Sequence, residues 1–413
     1  MKPIQTFLNV LTAIVLLSAP VFGQDTLVSY STRTKTMEIL PPVEFDPYAV
    51  FDTTSTSIGE FENNIRLPNY FPKENLYNHS EFTRLEPAAD FFDLTNYPIR
   101  TAVRMFRYQN DSLKGACSGI MVSENMVLTA AHCLISINSV THNDGSRERI
   151  RIWSGDSIFV SPAYNDGKNQ KLLPNAFAIN YYIFKNYYDN LRSDIALMEL
   201  AKPIGRQLGW IGLAYAEDTV LMNQKVLHKL SYPRIANPYD STEIFNGDTL
   251  YYNFGKADFS RYSQYEWIEV KGTQGIPGQS GSSLFFESNN RYYTVGVLNT
   301  ATDLHHQGIT PNSFYQLKNI LENSTSSGVD SEELIAKVYP NPVASFGVFL
   351  FENPLEDKLC LEVYNSSGQR VLTKCNITSQ SIRIDRNELQ KGVLFFQVYG
   401  QNKIVAKGKF MVL

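Results

Sequence analysis

This sequence has little of what metal, nucleic-acid or membrane chemistry requires. It has four cysteines and six histidines among 413 residues, and these do not cluster as the ligands of a zinc site do. Its formal net charge of −4 gives no reason to expect a nucleic-acid partner. After the first 23 residues, no stretch approaches the roughly eighteen apolar residues of a membrane span. We therefore expect no metal, no cofactor, no nucleic acid and no transmembrane span in the mature chain.

Cysteine is scarce, but its positions form two close pairs. Cys117 and Cys133 make the first cysteine pair, and Cys360 and Cys375 make the second. Two such pairs suit an oxidising compartment. The second pair is expected either to bridge neighbouring strands or to remain free.

Residues 1–23 have the layout of a secretory signal peptide. Lys2 gives a positive start, an apolar core runs from Phe7 to Leu17, and Val21 and Gly23 precede a possible cut. A membrane anchor is the alternative, but the apolar run is too short to span a bilayer.

The middle of the chain reads as short strands joined by polar turns. Only residues 313–323 show a helical apolar stripe. This pattern predicts a mainly β fold, a barrel or a sandwich. We expect strands at residues 101–108, 118–123, 126–129, 149–153, 156–160, 219–230, 249–254, 267–270, 283–286 and 292–298.

The most distinctive stretch, residues 275–286, is a turn of glycine, proline and serine that runs into an apolar strand. Gly278 and Gly281 flank Ser280 and leave no side chain to shield its hydroxyl. A serine hydroxyl becomes a good nucleophile only when a base takes its proton. The N–H groups of Gly278 and Ser280 can hold a developing oxyanion. The alternative is a hairpin loop without chemistry.

His132 is the candidate base. It follows an apolar run that ends in small residues, and Cys133 comes next. Histidine is the usual general base near neutral pH. The alternative is a core histidine behind a strand. We expect the other histidines in polar, loop-like contexts: His79, His142, His228, His305 and His306.

Asp194 is the candidate orienting acid. It stands at the edge of an apolar strand that continues through Ile195, and a buried carboxylate needs a partner. Asp166 and Asp189 compete for this role, but both belong to polar, loop-like stretches.

Three motifs, Thr-Ala-Ala-His-Cys, Asp-Ile-Ala-Leu and Gly-Gln-Ser-Gly-Ser, occur in this order. They resemble the trypsin/chymotrypsin class of serine endopeptidases, whose order differs from that of subtilisins and α/β-hydrolases. Ser282 also stands where an α/β-hydrolase elbow has glycine. Residues 161–167 and 203–213 resemble the bacterial glutamyl-endopeptidase branch. The resemblance covers roughly residues 97–320.

The resemblance implies a chymotrypsin-like double β-barrel with a C-terminal helix, acting as a monomer on protein or peptide substrates without a cofactor. It implies a catalytic triad of His132, Asp194 and Ser280, and an oxyanion hole of Gly278 and Ser280. It also implies a disulfide within the first cysteine pair, closing the loop that carries the histidine.

By the same resemblance, the pocket for the residue before the scissile bond involves Thr273, Gln274, Leu298 and Thr300. Glutamyl endopeptidases have a histidine where this chain has Leu298, which cannot donate a hydrogen bond to a carboxylate. Trypsins have an aspartate where this chain has Gln274. Thr300 narrows the entrance. We therefore expect an uncharged residue of small to medium size, unless His305 and His306 fold back to restore acidic recognition.

Residues 323–333 are a polar linker, and a small β unit follows. Its Val-Tyr-Pro-Asn-Pro opening and its Lys-Gly-Val to Lys-Phe-Met-Val ending resemble the C-terminal sorting domain of the type IX secretion system of Bacteroidota. The resemblance implies an Ig-like β-sandwich, the type IX machinery as a partner, and a protein that is secreted or at the cell surface of a Gram-negative bacterium. A generic binding sandwich is the alternative. Strands are expected at residues 359–364, 370–372, 381–384, 392–399 and 404–412.

These observations predict a layout of signal peptide (1–23), propeptide or N-terminal extension (24–95), trypsin-like protease domain (96–322), linker (323–333) and sorting domain (334–413). A propeptide is favoured over a permanent extension, because a secreted protease must avoid premature activity. A processing point is expected within residues 63–69.

The predicted function is a secreted serine endopeptidase. Two alternatives remain: a non-catalytic surface adhesin or binding protein on a protease scaffold, and a secreted esterase. Labelling by a serine-directed fluorophosphonate tests the first, and comparing casein with a simple ester tests the second.

Overall fold

The structure is a computed structural model. The predicted signal peptide, most of the linker, the expected processing point, and the pocket residues Gln274 and Thr300 lie outside the residues that it describes. The described residues are 25–44, 51–61, 80–109, 112–142, 144–154, 158–170, 173–216, 218–234, 245–260, 266–273, 275–299, 305–324, 336–339, 341–351, 353, 357–379, 381–400 and 403–413.

The N-terminal segment, defined here as residues 25–95, forms short strands that the sequence pattern did not predict. Within its described residues these are β1 (Leu27–Ser31), β2 (Met37–Ile39), β3 (Phe51–Thr53) and β4 (Glu86–Pro87). Strands of two to five residues show no readable alternation. Strand β2 pairs with β1, but β1, β3 and β4 also pair with strands far along the chain.

The first sheet of the protease is a six-stranded barrel with a separate hairpin beside it. Its strands and those of the hairpin are β5 (Ala102–Gln109), β6 (Ser112–Met121), β7 (Met126–Thr129), β8 (Ile135–Thr141), β9 (Arg147–Trp153), β10 (Ile158–Pro162), β11 (Ala176–Phe184) and β12 (Ala196–Leu200). The order β10-β5-β6-β7-β12-β11 closes because β10 also pairs with β11. Strands β1 and β2 extend the sheet beyond β11, and β8 pairs with β9. Strands β7 and β12 are buried along their whole length, which explains why they are mostly apolar apart from the buried Thr129 and Glu199.

The second sheet is a half-barrel. Its strands are β13 (Gly212–Ala216), β14 (Leu227–Ser231), β15 (Tyr251–Gly255), β16 (Ala257–Asp258), β17 (Trp267–Val270), β18 (Ser283–Ser288), β19 (Arg291–Leu298) and β20 (His305–Gly308). They follow the order β16-β17-β20-β19-β18-β14-β15-β4, and β13 pairs with β19 and with β3. The predicted mainly β protease fold is confirmed, with a barrel and a half-barrel as its two halves.

The described residues include four α-helices: α1 (Lys185–Asn190), α2 (Gly205–Leu208), α3 (Thr219–Gln224) and α4 (Pro311–Ser324). The predicted strand at 219–230 is wrong in its first half, which is α3. The Asp218 carboxylate accepts a hydrogen bond from the Leu221 N–H at 2.9 Å and caps this helix. The predicted C-terminal helix is confirmed as α4. It buries Phe314 and Leu317, and Pro311 at its first position favours a helix start.

Three histidines expected in loops lie in strands instead. His228 is in β14, and His305 and His306 are in β20. His228 is buried and hydrogen-bonded through Nδ1 to the Tyr252 hydroxyl at 2.8 Å. Burial lowers the pKa of His228 to about 3, so this side chain stays neutral. His228 falls in the correct second half of the strand expected at 219–230, whereas β20 was not expected, because its polar residues concealed it.

The C-terminal unit is a small sandwich, as predicted. Its strands are β21 (Lys337–Tyr339), β22 (Phe346–Leu350), β23 (Leu359–Tyr364), β24 (Arg370–Ile377), β25 (Ser381–Asp385), β26 (Gly392–Gly400) and β27 (Lys403–Val412). A sheet of β21-β22-β25 faces a sheet of β24-β23-β26-β27. Phe349, Phe396 and Phe410 meet edge to face in the core between them. The second cysteine pair is bonded and joins β23 to β24.

Across the described helices, none is both long and apolar enough to cross a membrane.

Candidate active site

Adjacent strands of the first barrel bring His132 and Asp194 together. His132 lies in a 3-10 turn that follows β7, and Asp194 precedes β12. Pairing of Thr129 with Ala196 sets their separation. His132 Nδ1 lies 2.8 Å from Asp194 Oδ2, and the His132 backbone N–H donates to Asp194 Oδ1 at 3.0 Å. One buried carboxylate thus holds both the ring and the backbone of the histidine.

This pairing also sets the charge behaviour of His132. Burial lowers the pKa of His132, but the negative charge of Asp194 and the hydrogen bond that its carboxylate accepts from the ring raise the pKa more, so it lies above the ordinary 6.5. The His132 side chain is 33% exposed, whereas that of Asp194 is 12% exposed. With Nδ1 engaged by the carboxylate, Nε2 is the nitrogen available to a reacting group.

The competing acids make other contacts. Asp189 forms an ion pair with Lys185 one turn earlier in α1. The Asp166 carboxylate accepts a hydrogen bond from the Thr249 hydroxyl at 3.3 Å. Of the three candidates, Asp194 is the one that contacts His132.

The loop of Ser280 packs directly against the segment of His132. The Ser118 N–H donates to the Ser280 carbonyl at 2.8 Å. Cys133 Sγ lies 3.8 Å from the same carbonyl oxygen. The serine backbone is therefore in contact with the residue that follows the histidine.

Two glycines permit this close approach. Gly281 has φ +81°, and a Cβ there would lie 2.1 Å from Thr129 Oγ1 and 2.3 Å from the Ser118 carbonyl oxygen. Gly278 has φ +90°, and its Cβ would lie 2.3 Å from the Tyr232 carbonyl oxygen. Side chains rarely adopt such φ values, so both positions require glycine for conformation and for space.

The turn leaves two donors unengaged. In the described part of the chain, the N–H groups of Gly278 and Ser280 have no protein acceptor. The side chain of Gln279, which is fully buried, holds the turn in shape. Its Oε1 accepts from the Ile276 N–H at 2.8 Å, and its Nε2 donates to Ser231 Oγ at 2.8 Å.

Sequence reasoning missed Gln279 and Ser118 as supporting residues. The Ser118 hydroxyl donates to the Gly278 carbonyl at 2.9 Å and accepts from the Tyr232 N–H at 3.0 Å. The available signals were the position of Gln279 between Gly278 and Ser280, and a small polar residue next to the first cysteine pair.

The first cysteine pair is bonded and joins β6 to the turn of His132. Ligand atoms of Cys117, His132 and Cys133 lie within 4.8 Å of one another. The two sulfurs are bonded to each other, so this group offers no thiolate to a metal. Together with neighbouring residues, it lines a cavity of about 50 Å³ beside the histidine.

Two predicted pocket residues are described, and both are buried. Thr273 is 5% exposed and Leu298 is 1% exposed. The Leu298 carbonyl accepts from the Gly281 N–H at 2.8 Å, which places Leu298 beside the nucleophile loop. His306 stands directly opposite Leu298 in the register of β19 and β20 and is buried. His305 stacks on Trp267 with ring centroids 4.7 Å apart.

Comparison with known proteins agrees with this architecture. A family model described as Trypsin matches residues 96–321, more than half of the chain. A second model, described as Secretion system C-terminal sorting domain, matches residues 337–412. The latter implies secretion through the type IX system of Bacteroidetes.

Individual relatives are more distant. The glutamyl endopeptidase of Bacillus licheniformis is 24% identical over 318 residues, covering 75% of this chain and 86% of that protein. Serine protease 23 of Mus musculus is 29% identical over 138 residues, covering 29% of this chain and 32% of that protein.

Two solved structures are also similar. A Glu endopeptidase in complex with MPD has a TM-score of 0.43 and 18% identity, covering 58% of this chain and 97% of that chain. The protease Anisep from Arthrobacter nicotinovorans has a TM-score of 0.38 and 19% identity, covering 53% and 95%. From the extent of the family match, this chain belongs to the trypsin family of serine endopeptidases and carries a C-terminal type IX sorting domain.

Proposed function

We propose that this protease cleaves peptide bonds with Ser280 as nucleophile, His132 as general base and Asp194 as orienting acid. The main supporting observation is that the Asp194 carboxylate makes two hydrogen bonds to His132, one to the ring and one to the backbone N–H. These bonds fix the tautomer and stabilise the imidazolium that forms during attack.

In the proposed cycle, Ser280 Oγ attacks the peptide carbonyl carbon while His132 Nε2 takes the hydroxyl proton. The N–H groups of Gly278 and Ser280 stabilise the tetrahedral oxyanion. When the C–N bond breaks, His132 returns the proton to the leaving amine. Water then hydrolyses the acyl-enzyme by the same route, and the serine hydroxyl is restored.

We further propose that the residue before the scissile bond is uncharged and of small to medium size. Leu298 lies against the nucleophile loop and offers only an apolar side chain. A charged substrate side chain left unpaired there would be costly to bury. The relative from Bacillus is named a glutamyl endopeptidase, so acidic preference is the competing outcome, and His306 opposite Leu298 is the residue that would confer it.

The remaining proposals concern delivery. The predicted signal peptide directs the chain across the inner membrane, and the sorting domain engages the type IX machinery for release or surface display. We also propose that the protease acts as a monomer, since its proposed triad comes from one chain and needs no residue from a second copy.

A fluorophosphonate probe tests the nucleophile. The secreted protein should be labelled on Ser280, and Ser280→Ala should lose both labelling and casein hydrolysis, by several powers of ten in turnover. Ser282→Ala is the matched control, since its hydroxyl is buried two residues away and makes no hydrogen bond among the described residues. An unlabelled wild-type protein would favour the adhesin, and hydrolysis of a simple ester without casein would favour the esterase.

A second pair of variants tests the acid. Asp194→Asn should lower kcat by about 10⁴-fold, because the wrong histidine tautomer is then favoured. Asp189→Asn removes a carboxylate that pairs with Lys185 and should leave kcat unchanged. Equal effects of the two changes would contradict the assignment.

Digestion of a mixed peptide library tests the pocket. We expect cuts after uncharged residues of small to medium size. Dominant cuts after Glu or Asp would contradict the proposed preference. If His306→Leu then removed them, His306 would be the recognition residue.

A further inference from the structure

The N-terminal segment pairs with β11, the strand of the first sheet that comes before Asp194 in the chain. Strand β1 pairs with β11 from Leu27 opposite Phe184 to Ser31 opposite Asn180. Leu27 and Val28 are both 1% exposed and belong to the main protease core. Burial of two apolar side chains stabilises the paired strand, so β1 is an integral part of the sheet.

The contacts of the N-terminal segment continue beyond β11, into the connection that runs through α1 to Asp194. The Lys185 N–H donates to the Thr26 carbonyl at 2.7 Å, and the Asn186 N–H donates to Asp25 Oδ1 at 2.9 Å. Ser193, the residue before Asp194, is close enough to the Asp25 carboxylate to lower its pKa, which places Asp25 near the end of this connection as well. Asp25 therefore holds the start of α1, where the connection to Asp194 begins.

The middle of the segment is held by a buried arginine. Arg100 is fully buried and donates from Nη2 to the Ile58 carbonyl at 2.5 Å, and from Nη1 to the Thr95 carbonyl at 2.8 Å. Its guanidinium also lies 5.1 Å from the centroid of the Phe61 ring. Removing residues 51–61 would leave a buried cation without one of its acceptors, which is costly.

The end of the segment supports the nucleophile loop. The Phe82 N–H donates to the Lys271 carbonyl at 2.7 Å, and the Thr83 N–H donates to the Phe254 carbonyl at 2.8 Å. These bonds bridge β15 to the residue that follows β17. Leu85 then packs with Ile276, four residues before Ser280, in a small buried cluster.

We propose that residues 25–95 remain part of the working protease, and that Asp25 and Leu85 are positioning residues for the loops of Asp194 and Ser280. This inference rests on the proposed triad. It assigns the segment a lasting role in place of the removable propeptide that the sequence favours. A cut within residues 62–79 is compatible with it, because the pieces on either side are anchored separately.

The first test removes the hydrogen bond between Asp25 and Asn186 at the start of α1. Asp25→Ala should lower kcat about tenfold with KM unchanged, within the roughly hundredfold that a misplacement of about 1 Å can cost. The acid limb of kcat/KM should move to lower pH, because a displaced Asp194 stabilises the His132 imidazolium less. Asp25→Asn should restore both values, since asparagine is an equally good acceptor at a helix start.

Asp25 is itself titratable and lies near another carboxylate, so a control must separate its own titration from its positioning effect. Glu266 lies near its carboxylate, and burial raises the pKa of Asp25 to about 6. Asparagine does not titrate. If Asp25→Asn keeps the acid limb of the wild-type kcat/KM profile, the titration of Asp25 therefore does not produce that limb. Asp218→Ala is the control, because it removes a similar carboxylate cap from α3, which has the same length as α1 but lies outside the site. This change should leave kcat and the acid limb of kcat/KM unchanged. Equal behaviour of the two alanine variants would overturn the role of Asp25.

The second test removes the contact at the nucleophile loop. Leu85→Ala should slow fluorophosphonate labelling of Ser280 about tenfold. Leu94→Ala is the matched control, because Leu94 belongs to the same segment and is similarly buried, but packs in the main core. If both variants label at the same rate at equal thermal stability, Leu85 has no positioning role.

The decisive measurement is the composition of the active species. Secreted protein labelled on Ser280 is analysed by native mass spectrometry and by N-terminal sequencing. We expect residues 25–95 in every labelled molecule, as one chain or as bound fragments. Labelled, fully active protein that begins near residue 96 would overturn the inference. Absence of label from the wild-type protein would instead overturn the proposed function.

Discussion

Gly281→Ala adds a single methyl group, yet it should lower both the stability and the activity of the protease substantially. The new Cβ would lie 2.1 Å from Thr129 Oγ1, 2.3 Å from the Ser118 carbonyl oxygen and 2.9 Å from the Ala130 nitrogen. Two of these three atoms belong to the backbone, so a change of rotamer cannot relieve the contact. The Ser280 loop must therefore move away from the segment that carries His132.

The cost has two parts. The positive φ of +81° costs an alanine about 1–2 kcal/mol. Overpacking in a close-packed region costs about 1–3 kcal/mol. Together these give about 2–5 kcal/mol, or a fall in Tm of about 4–20 °C for a domain of this size. A displacement of about 1 Å at Ser280 would also lower kcat about a hundredfold.

A matched variant isolates the steric part. Gly145 has φ +83° and would place a Cβ with no atom within 4 Å. Gly145→Ala should therefore show only the conformational cost, with normal kcat. Calorimetry gives the two values of Tm, and the rate of fluorophosphonate labelling below Tm gives the state of the site. If the two variants had equal Tm and equal labelling rates, the packing of Gly281 against Thr129 would not be what holds the loop.

The same structure supports four further predictions. The kcat/KM of the wild-type protein should rise with pH through an apparent pKa above 6.5, because the pKa of His132 is raised and only the neutral ring accepts a proton; an apparent pKa below 6.5 would contradict the contact with Asp194. The same raised pKa contributes stability that is present below pH 6.5 and lost as pH rises, which Tm differences from His132→Gln would measure. Replacing both cysteines of the first pair by serine should cost about 3 kcal/mol in the protease transition, whereas the same change in the second pair should lower only the transition of the sorting domain. Deleting residues 330–413 should leave a folded protease that is no longer exported, as cell fractionation would show.

The sequence was informative where a local pattern carries the structure. The helix near the end of the protease was predicted because Phe314 and Leu317 repeat with helical spacing over a long stretch. Asp194 was favoured because an apolar strand follows it directly, and the structure pairs it with His132. Each of these signals lies within one continuous segment of the sequence.

The sequence was uninformative where partners are distant. Strand β3 has three residues and pairs with β13, which lies about 160 residues later. Strand β1 likewise pairs with β11 across about 150 residues. Three to five residues cannot show a period, and no local feature reveals such partners. The same limit concealed Gln279, whose hydrogen bond to Ser231 exists only once two distant loops meet.

The proposed acid and base belong to the first barrel, whereas the proposed nucleophile belongs to the half-barrel. Their relative placement therefore depends on bonds between the two sheets, and Ser118 supplies several of them. Its N–H binds the Ser280 carbonyl, and its hydroxyl bridges the Gly278 carbonyl and the Tyr232 N–H. Ser118 is buried, so breaking any of these bonds would leave a polar group unsatisfied at a cost of about 1–3 kcal/mol. Separation of the two sheets is therefore opposed at the site itself, beside the oxyanion donors that the reaction needs.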